Sequence, residues 1–182
     1  MEVFHLSDRG DIEHFEPRKF WHMDYVRSGR LRANQTPPQG ASIESLFYAS
    51  DEAKLPFYSL PRFMPRIWLT REISGTHECL DAYFDQDSDY RLLFISCADE
   101  LALAEHQFYQ YTFSVDQFEC WPSGEWVARE KVWPKDVLGP FQVLSWLKQR
   151  EVTFVAVDDL HQTAKFFQHE GLVFHAEKIS VS

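Results

Sequence analysis

Three kinds of side chain in this sequence could do chemistry together: a histidine near the start, aromatics beside a strand-to-helix junction, and a glutamate on a late strand. His5 lies in Glu2-Val3-Phe4-His5-Leu6-Ser7-Asp8, where Val3, Phe4 and Leu6 favour a strand and Ser7, Asp8, Arg9 and Gly10 favour its end. A histidine near the end of a buried strand can look into a cleft with one ring nitrogen free. It can equally be a satisfied core histidine. Glu130 lies in the stretch 125–133, whose alternation puts Trp126, Ala128, Glu130 and Val132 on one side and Val127, Arg129, Lys131 and Trp133 on the other. A carboxylate on the more apolar side is either ion-paired or functional. Between these two come Phe47, Tyr48 and Tyr58, in the segment 46–58.

Charge narrows where an anion could be met. The chain of 182 residues carries a net charge of −10, which argues against general binding of nucleic acid through a positive field. Residues 1–71 hold ten Lys/Arg against nine Asp/Glu, whereas residues 72–182 hold eight against nineteen. Eight of those ten are arginines: Arg9, Arg18, Arg27, Arg30, Arg32, Arg62, Arg66 and Arg71. A planar guanidinium suits phosphate or carboxylate, so the N-terminal part is where an anionic ligand is expected. Residues 18–32 mix such cations with Phe20, Trp21 and Tyr25. That mixture could form a stacking-and-phosphate surface, or it could pack its rings on the core.

Other chemistries lack their patterns. There is no GxGxxG or GxxxxGK[ST], no HExxH or HxE…PCxxC, and no GxSxG. Cys79, Cys97 and Cys120 are odd in number and widely spaced, which reads as free thiols in a reducing compartment. No metal site is expected. No apolar run approaches the ~20 residues that span a bilayer, and the N-terminus lacks a basic-then-apolar leader pattern. The expected location is the cytoplasm, without a membrane partner.

The elements that must position these residues follow from pattern. A short strand opens the chain; Ile12 and Phe15 suggest one helical turn ended by Pro17. Residues 45–49 read as a strand, with Ser50 as N-cap of a helix of about two turns limited by Pro56. Strands are expected at 67–70, 90–96, 108–114, 125–133, 152–157 and 172–179. Helices are expected at 77–84, 98–106, 139–150 and 160–170, the last closed by Gly171. With no repeat or linker, the chain reads as one mixed α+β domain over 1–182.

These segments resemble the ADP-ribosyltransferase superfamily of the His-Tyr-Glu type, which binds NAD in a cleft between two small, mostly antiparallel sheets. FHLS at 4–7 is similar to its first motif, with His5 as the histidine. LFYASDEAKLPFY at 46–58 resembles the second: Phe47 or Tyr48 falls at the first aromatic position and Tyr58 at the second. GEWVARE at 124–130 is similar to the third, with Glu130 as the glutamate and Glu125 in reserve. The chain is also similar to a bacterial family without an assigned activity that shares FHLS…IEHFEPR, DEAKLPFYSLPRFMPR and WVARE. The superfamily resemblance implies a split β core over 1–136 with peripheral helices, and a helix-strand-helix-strand extension over 137–182 that has no counterpart in it.

It further implies an NAD-dependent mono-ADP-ribosyltransferase, with NAD as substrate and an unidentified acceptor. His5 would hold the adenosine-side ribose, with Ser7 beside it. Tyr58, helped by Tyr48, would stack on nicotinamide, with Phe47 also among the residues at the cofactor. Arg62 or Arg66 would meet the pyrophosphate. Glu130 would bond the other ribose 2′-OH and stabilise an oxocarbenium-like state. A noncatalytic nucleotide- or partner-binding module, or an RNA-directed 2′-phosphotransferase, would use the same fold.

Overall fold

A computed structural model describes the chain except for residues 24–26, 31–35, 76, 82, 84–88, 122–124 and 180–182. Tyr25 and Arg32 of the basic-aromatic stretch, and the turn at 122–124, therefore lie outside the described residues. Twelve strands are described: β1 (Glu2–Ser7), β2 (Arg18–Met23), β3 (Arg27–Arg30), β4 (Ser42–Ala49), β5 (Arg66–Thr70), β6 (Arg91–Ser96), β7 (Gln107–Ser114), β8 (Glu119–Cys120), β9 (Trp126–Ala128), β10 (Asp136–Gln142), β11 (Thr153–Val157) and β12 (His175–Glu177). Five short helices join them: α1 (Leu55–Tyr58), α2 (Arg71–Ser74), α3 (Glu100–Glu105), α4 (Val143–Gln149) and α5 (Leu160–His169). The result is an α+β fold of several small, mostly antiparallel sheets. Among the described residues, no helix is long and apolar enough to cross a membrane.

Where the sequence reads as one domain with a C-terminal extension, the chain divides into two compact units that alternate along it. The first comprises Met1–Leu55 and Tyr109–Gly139, and the second Pro56–Phe108 and Pro140–Ser182. Residues from 140 onward thus fall in the same unit as 56–108.

In the first unit, five strands run in the order β3-β2-β4-β9-β8, and β1 pairs antiparallel with β7. Opposed pairs fix the faces. Val3 lies opposite Phe113 and His5 opposite Tyr111. Phe47 lies opposite Ala128, and Tyr48 opposite Val127. One face of each sheet therefore points inward. Val3, Phe15, Phe47, Ala49, Tyr111, Phe113, Ala128 and Val132 form the shared core. The two sheets meet where Phe4 and Ser50 exchange two backbone hydrogen bonds of 2.8 Å.

In the second unit the order is β11-β6-β5-β12, with β11 parallel to β6 and the other pairs antiparallel. Ile67-Trp68-Leu69 and Leu92-Leu93-Phe94-Ile95 are almost wholly buried, so both faces of these strands are covered. This is why the stretch at 90–96 shows an apolar run without alternation. α5 packs Leu160, Ala164 and Phe167 onto the Ile67, Leu69, Leu92 and Phe94 face. Asp159 caps it by accepting from Gln162 N at 2.9 Å, and Gly171 at φ +78° lets the chain turn out.

Four local expectations are corrected. Phe15 is extended, not helical, because its N–H and C=O both bond Val132. The cap after β4 is Asp51, whose carboxylate accepts from Lys54 N at 3.1 Å. Ser50 is instead held in the bridge to Phe4. Residues 136–142 form a strand, so α4 starts only at Val143; Gly139 is at φ +127°, outside the helical region, and Pro140 has no N–H to donate to a helix ladder. Finally, β9 stops at Ala128. The chain bends at Arg129 and Glu130 so that Val132 reaches the core beside Phe15.

Candidate functional site

His5 is positioned by β1 and enclosed by rings of the inner core. Its centroid lies 4.8 Å from that of Phe47 and 5.1 Å from that of Phe15. Its Nδ1–H donates to the Tyr48 carbonyl oxygen at 3.1 Å. A carbonyl only accepts, so this contact fixes the proton on Nδ1 and leaves the Nε2 lone pair as the ring's acceptor. Nε2 has no hydrogen-bond partner among the described residues. Burial is the main influence on its ionisation and pushes the pKa down to about 4. The Tyr48 carbonyl acts against that shift, and the charge of Arg18 adds to it. His5 is therefore a neutral, oriented imidazole at neutral pH.

The ring that meets His5 is Phe47. Tyr48, the next residue in β4, turns its side chain to the opposite face, in keeping with strand alternation. There its hydroxyl lies 3.4 Å from His22 Nε2, and its ring meets the edge of Phe20 at 4.7 Å. Phe20, His22, Glu44, Tyr48, Trp121, Glu125 and Arg129 share this outer face, as the register of β2, β4, β9 and β8 requires. Arg129 bonds both Glu44 and Glu119. Desolvation lowers the His22 pKa, with Glu44 and Glu125 opposing the shift.

The carboxylates expected on the 125–133 strand are not beside His5 in any described contact. Glu130 follows the end of β9 and is exposed, without an ion pair or hydrogen bond among the described residues. The expectation that it sits on the apolar face of a strand is corrected by the bend at 129–130. Glu125 precedes β9, is half-buried, and acts electrostatically on His22. No carboxylate is among the groups that shift His5.

Ser7 ends β1 half-exposed, its hydroxyl accepting from Arg9 N at 3.3 Å. The remaining residues singled out by sequence belong to the second unit. Tyr58, at the end of α1, is 39% exposed and meets Phe57 edge-on at 5.2 Å. Arg62 is exposed in a turn. Arg66 is only 2% exposed and already engaged. It donates to the carbonyls of Pro61 and Met64, pairs with Glu177, and lies over the Phe57 ring. Its guanidinium is a structural tie and not an open anion site, which corrects the expectation that it could meet a pyrophosphate.

The helix-like spacing of Ile12 and Phe15 gives no sign that Phe15 walls the His5 enclosure. Nor do the motifs of the sequence point to the outer-face group. Period-two alternation of Arg18, Phe20 and His22 in β2 was the available signal for that face. Among the described residues, no group of three or more His, Cys, Asp or Glu could hold a metal ion.

No curated protein and no solved structure matches the chain. A family model does match it, over residues 4–179, and the chain therefore belongs to a family of unknown function, DUF6886.

Proposed function

We propose that the protein binds NAD and acts as a mono-ADP-ribosyltransferase of ADP-ribosyltransferase-like build. The observation that supports this reading is the adjacency of three strands in the first unit. His5 of β1 packs on Phe47 of β4, and β4 pairs with β9, which leads to Glu130. This is the order in which the His, aromatic and Glu motifs of the superfamily recur. Phe47 takes the first aromatic position, and the His5 Nε2 acceptor bonds a ribose hydroxyl. Glu130, a carboxylate without an ion pair among the described residues, bonds the nicotinamide-side ribose 2′-OH. It stabilises the oxocarbenium-like state as the nicotinamide–ribose bond breaks, and the acceptor then attacks the anomeric carbon.

A second reading, a noncatalytic nucleotide-binding module, is favoured by one observation: Glu130 lies exposed beyond β9, and no carboxylate is among the groups acting on His5. Both readings require NAD to bind through Nε2 of His5. In His5→Asn the amide can keep the donation to Tyr48 O while Nε2 is lost. Calorimetric titration with NAD is expected to show millimolar or tighter binding to the native chain, at least tenfold weaker in the variant. Absence of binding to the native chain at millimolar NAD overturns both readings.

A further inference from the structure

Among the described residues, the three sheets end in six edge strands, and five of the six are guarded. β1 is held at Phe4 by its two hydrogen bonds with Ser50. β10 contains Gly139-Pro140, and β3 is bounded by Arg27 and Arg30. β8 is two residues long and starts at Glu119, and β12 is three long and ends at Glu177. Proline, charge and brevity are the usual devices that keep an open edge from pairing with another chain. β11, at the edge of the second unit's sheet, has none of them. It reads Thr153-Phe154-Val155-Ala156-Val157, without charge, proline or glycine, and four of its five residues are β-branched or aromatic.

β11 pairs with β6, in parallel, with Val155 opposite Phe94. In a parallel ladder, alternate residues turn both N–H and C=O away from the partner strand. Among the described residues, no backbone hydrogen bond outside the ladder involves residues 153–157. Val155 and Val157 pack on the core that α5 covers, which fixes the strand in place. Its outward row of donors and acceptors is thus a held template for one more strand. The flanks carry the charge that the strand lacks. Before it come Lys148, Arg150 and Glu151, with one net positive charge; after it come Asp158 and Asp159, with two negative charges. Lys148, Glu151, Asp158 and Asp159 are exposed. Antiparallel pairing of two β11 strands sets the net-positive flank of each beside the acidic flank of the other. A parallel pairing would set Asp158 and Asp159 against themselves.

We propose that β11 is the docking edge for a second copy of this chain, paired antiparallel about a two-fold axis near Val155. The two four-stranded sheets then become one continuous sheet. A two-fold axis uses up both open edges at once, so assembly closes at the dimer. Five residues a side is far short of the roughly 20 of a standard interface, so the dimer is weak, with a Kd on the order of 100 μM. The inference does not rest on NAD binding, because β11 belongs to the second unit and His5 to the first.

The test is sedimentation equilibrium of the full chain from about 10 μM to about 1 mM, where a monomer–dimer equilibrium is expected. Thr153→Lys, at an exposed position, gives this edge the charge that guards others. It is expected to weaken the dimer at least tenfold while circular dichroism stays native. The flanks predict changes in both directions. Lys148→Asp is expected to weaken the dimer several-fold, and Glu151→Gln to tighten it several-fold. Glu52→Gln, the same charge change at an exposed position of the first unit, is expected to leave it unchanged. If Thr153→Lys fails to fold, the flank variants decide. Assembly beyond a dimer, undiminished dimerisation in Thr153→Lys, or equal effects of Glu151→Gln and Glu52→Gln overturns the proposal. A chain that stays monomeric across the range leaves the edge to an extended segment of a different protein and overturns it too.

Discussion

The Nδ1–H of His5 donates to the carbonyl of Tyr48 across 3.1 Å, and this contact joins the first strand to the aromatic strand of the same unit. It fixes the tautomer of His5, and the surrounding rings keep that imidazole neutral. The same residue, Tyr48, sends its hydroxyl toward His22 on the other face. One strand thus supplies backbone to an inner histidine and a ring to an outer aromatic group.

The first prediction concerns pH. The folded pKa of His5 is about 4, below the ordinary value of 6.5. The unfolded chain therefore binds more protons between those values, so stability is full above the ordinary pKa and falls as pH drops through the window. The expected loss from this group between neutrality and mildly acidic solution is about 2 kcal/mol. Urea titrations of native chain and His5→Asn at several pH values are expected to show a steeper acid-side decline in the native chain. Parallel curves would show that His5 titrates normally in the fold.

Phe47 is 8% exposed and sits between His5, Phe15 and Phe113. Truncation in Phe47→Ala leaves a cavity in the inner core and is expected to cost about 3–5 kcal/mol in chemical denaturation. It also opens His5 to solvent, so the histidine's pKa measured by NMR is expected to rise toward its ordinary value.

Gly10 lies against the Tyr109 ring, where a Cβ would stand 2.3 Å from Cε1. Gly10→Ala therefore forces the ring of a residue that packs on the core to move. The expected destabilisation is about 1–3 kcal/mol, measured as a lower urea midpoint with an unchanged slope.

In the second unit, Arg66 and Glu177 form a pair whose arginine is almost wholly buried. Desolvation lowers the Arg66 pKa, and Glu177 and Tyr58 act against that shift. Glu177→Gln leaves the guanidinium without its counter-charge and is expected to cost about 3 kcal/mol. Arg62→Ala, at an exposed turn, is expected to stay within about 0.5 kcal/mol of the native chain. Thermal denaturation of the two variants distinguishes a structural arginine from a solvated one.

Much of the secondary structure was legible because its signals are local. The apolar run at 90–96, the aromatic strand at 108–114, and the helix closed by Gly171 each carry their own pattern. The failures occur where a distant partner decides. Phe15 sits in a stretch spaced like a helical turn, yet Val132, far along the chain, claims both its backbone groups. The alternation of 125–133 continues in sequence through Glu130, but burial of Val132 bends the chain before that residue. At the site, His5 and its aromatic strand were legible as a pair. Which ring meets the histidine was not, since Phe47 and Tyr48 are adjacent and only the register with β9 assigns their faces. The structural role of Arg66 depends on Glu177, which no short-range pattern connects to it.

The central claim is that the first unit binds NAD through His5 and breaks its nicotinamide–ribose bond with the help of Glu130. The most direct measurement is release of labelled nicotinamide from NAD by the native chain and by Glu130→Gln. Release by the native chain, reduced at least a hundredfold in the variant while NAD binding persists, is the predicted result. Equal release by both chains, or binding without any release, would contradict it.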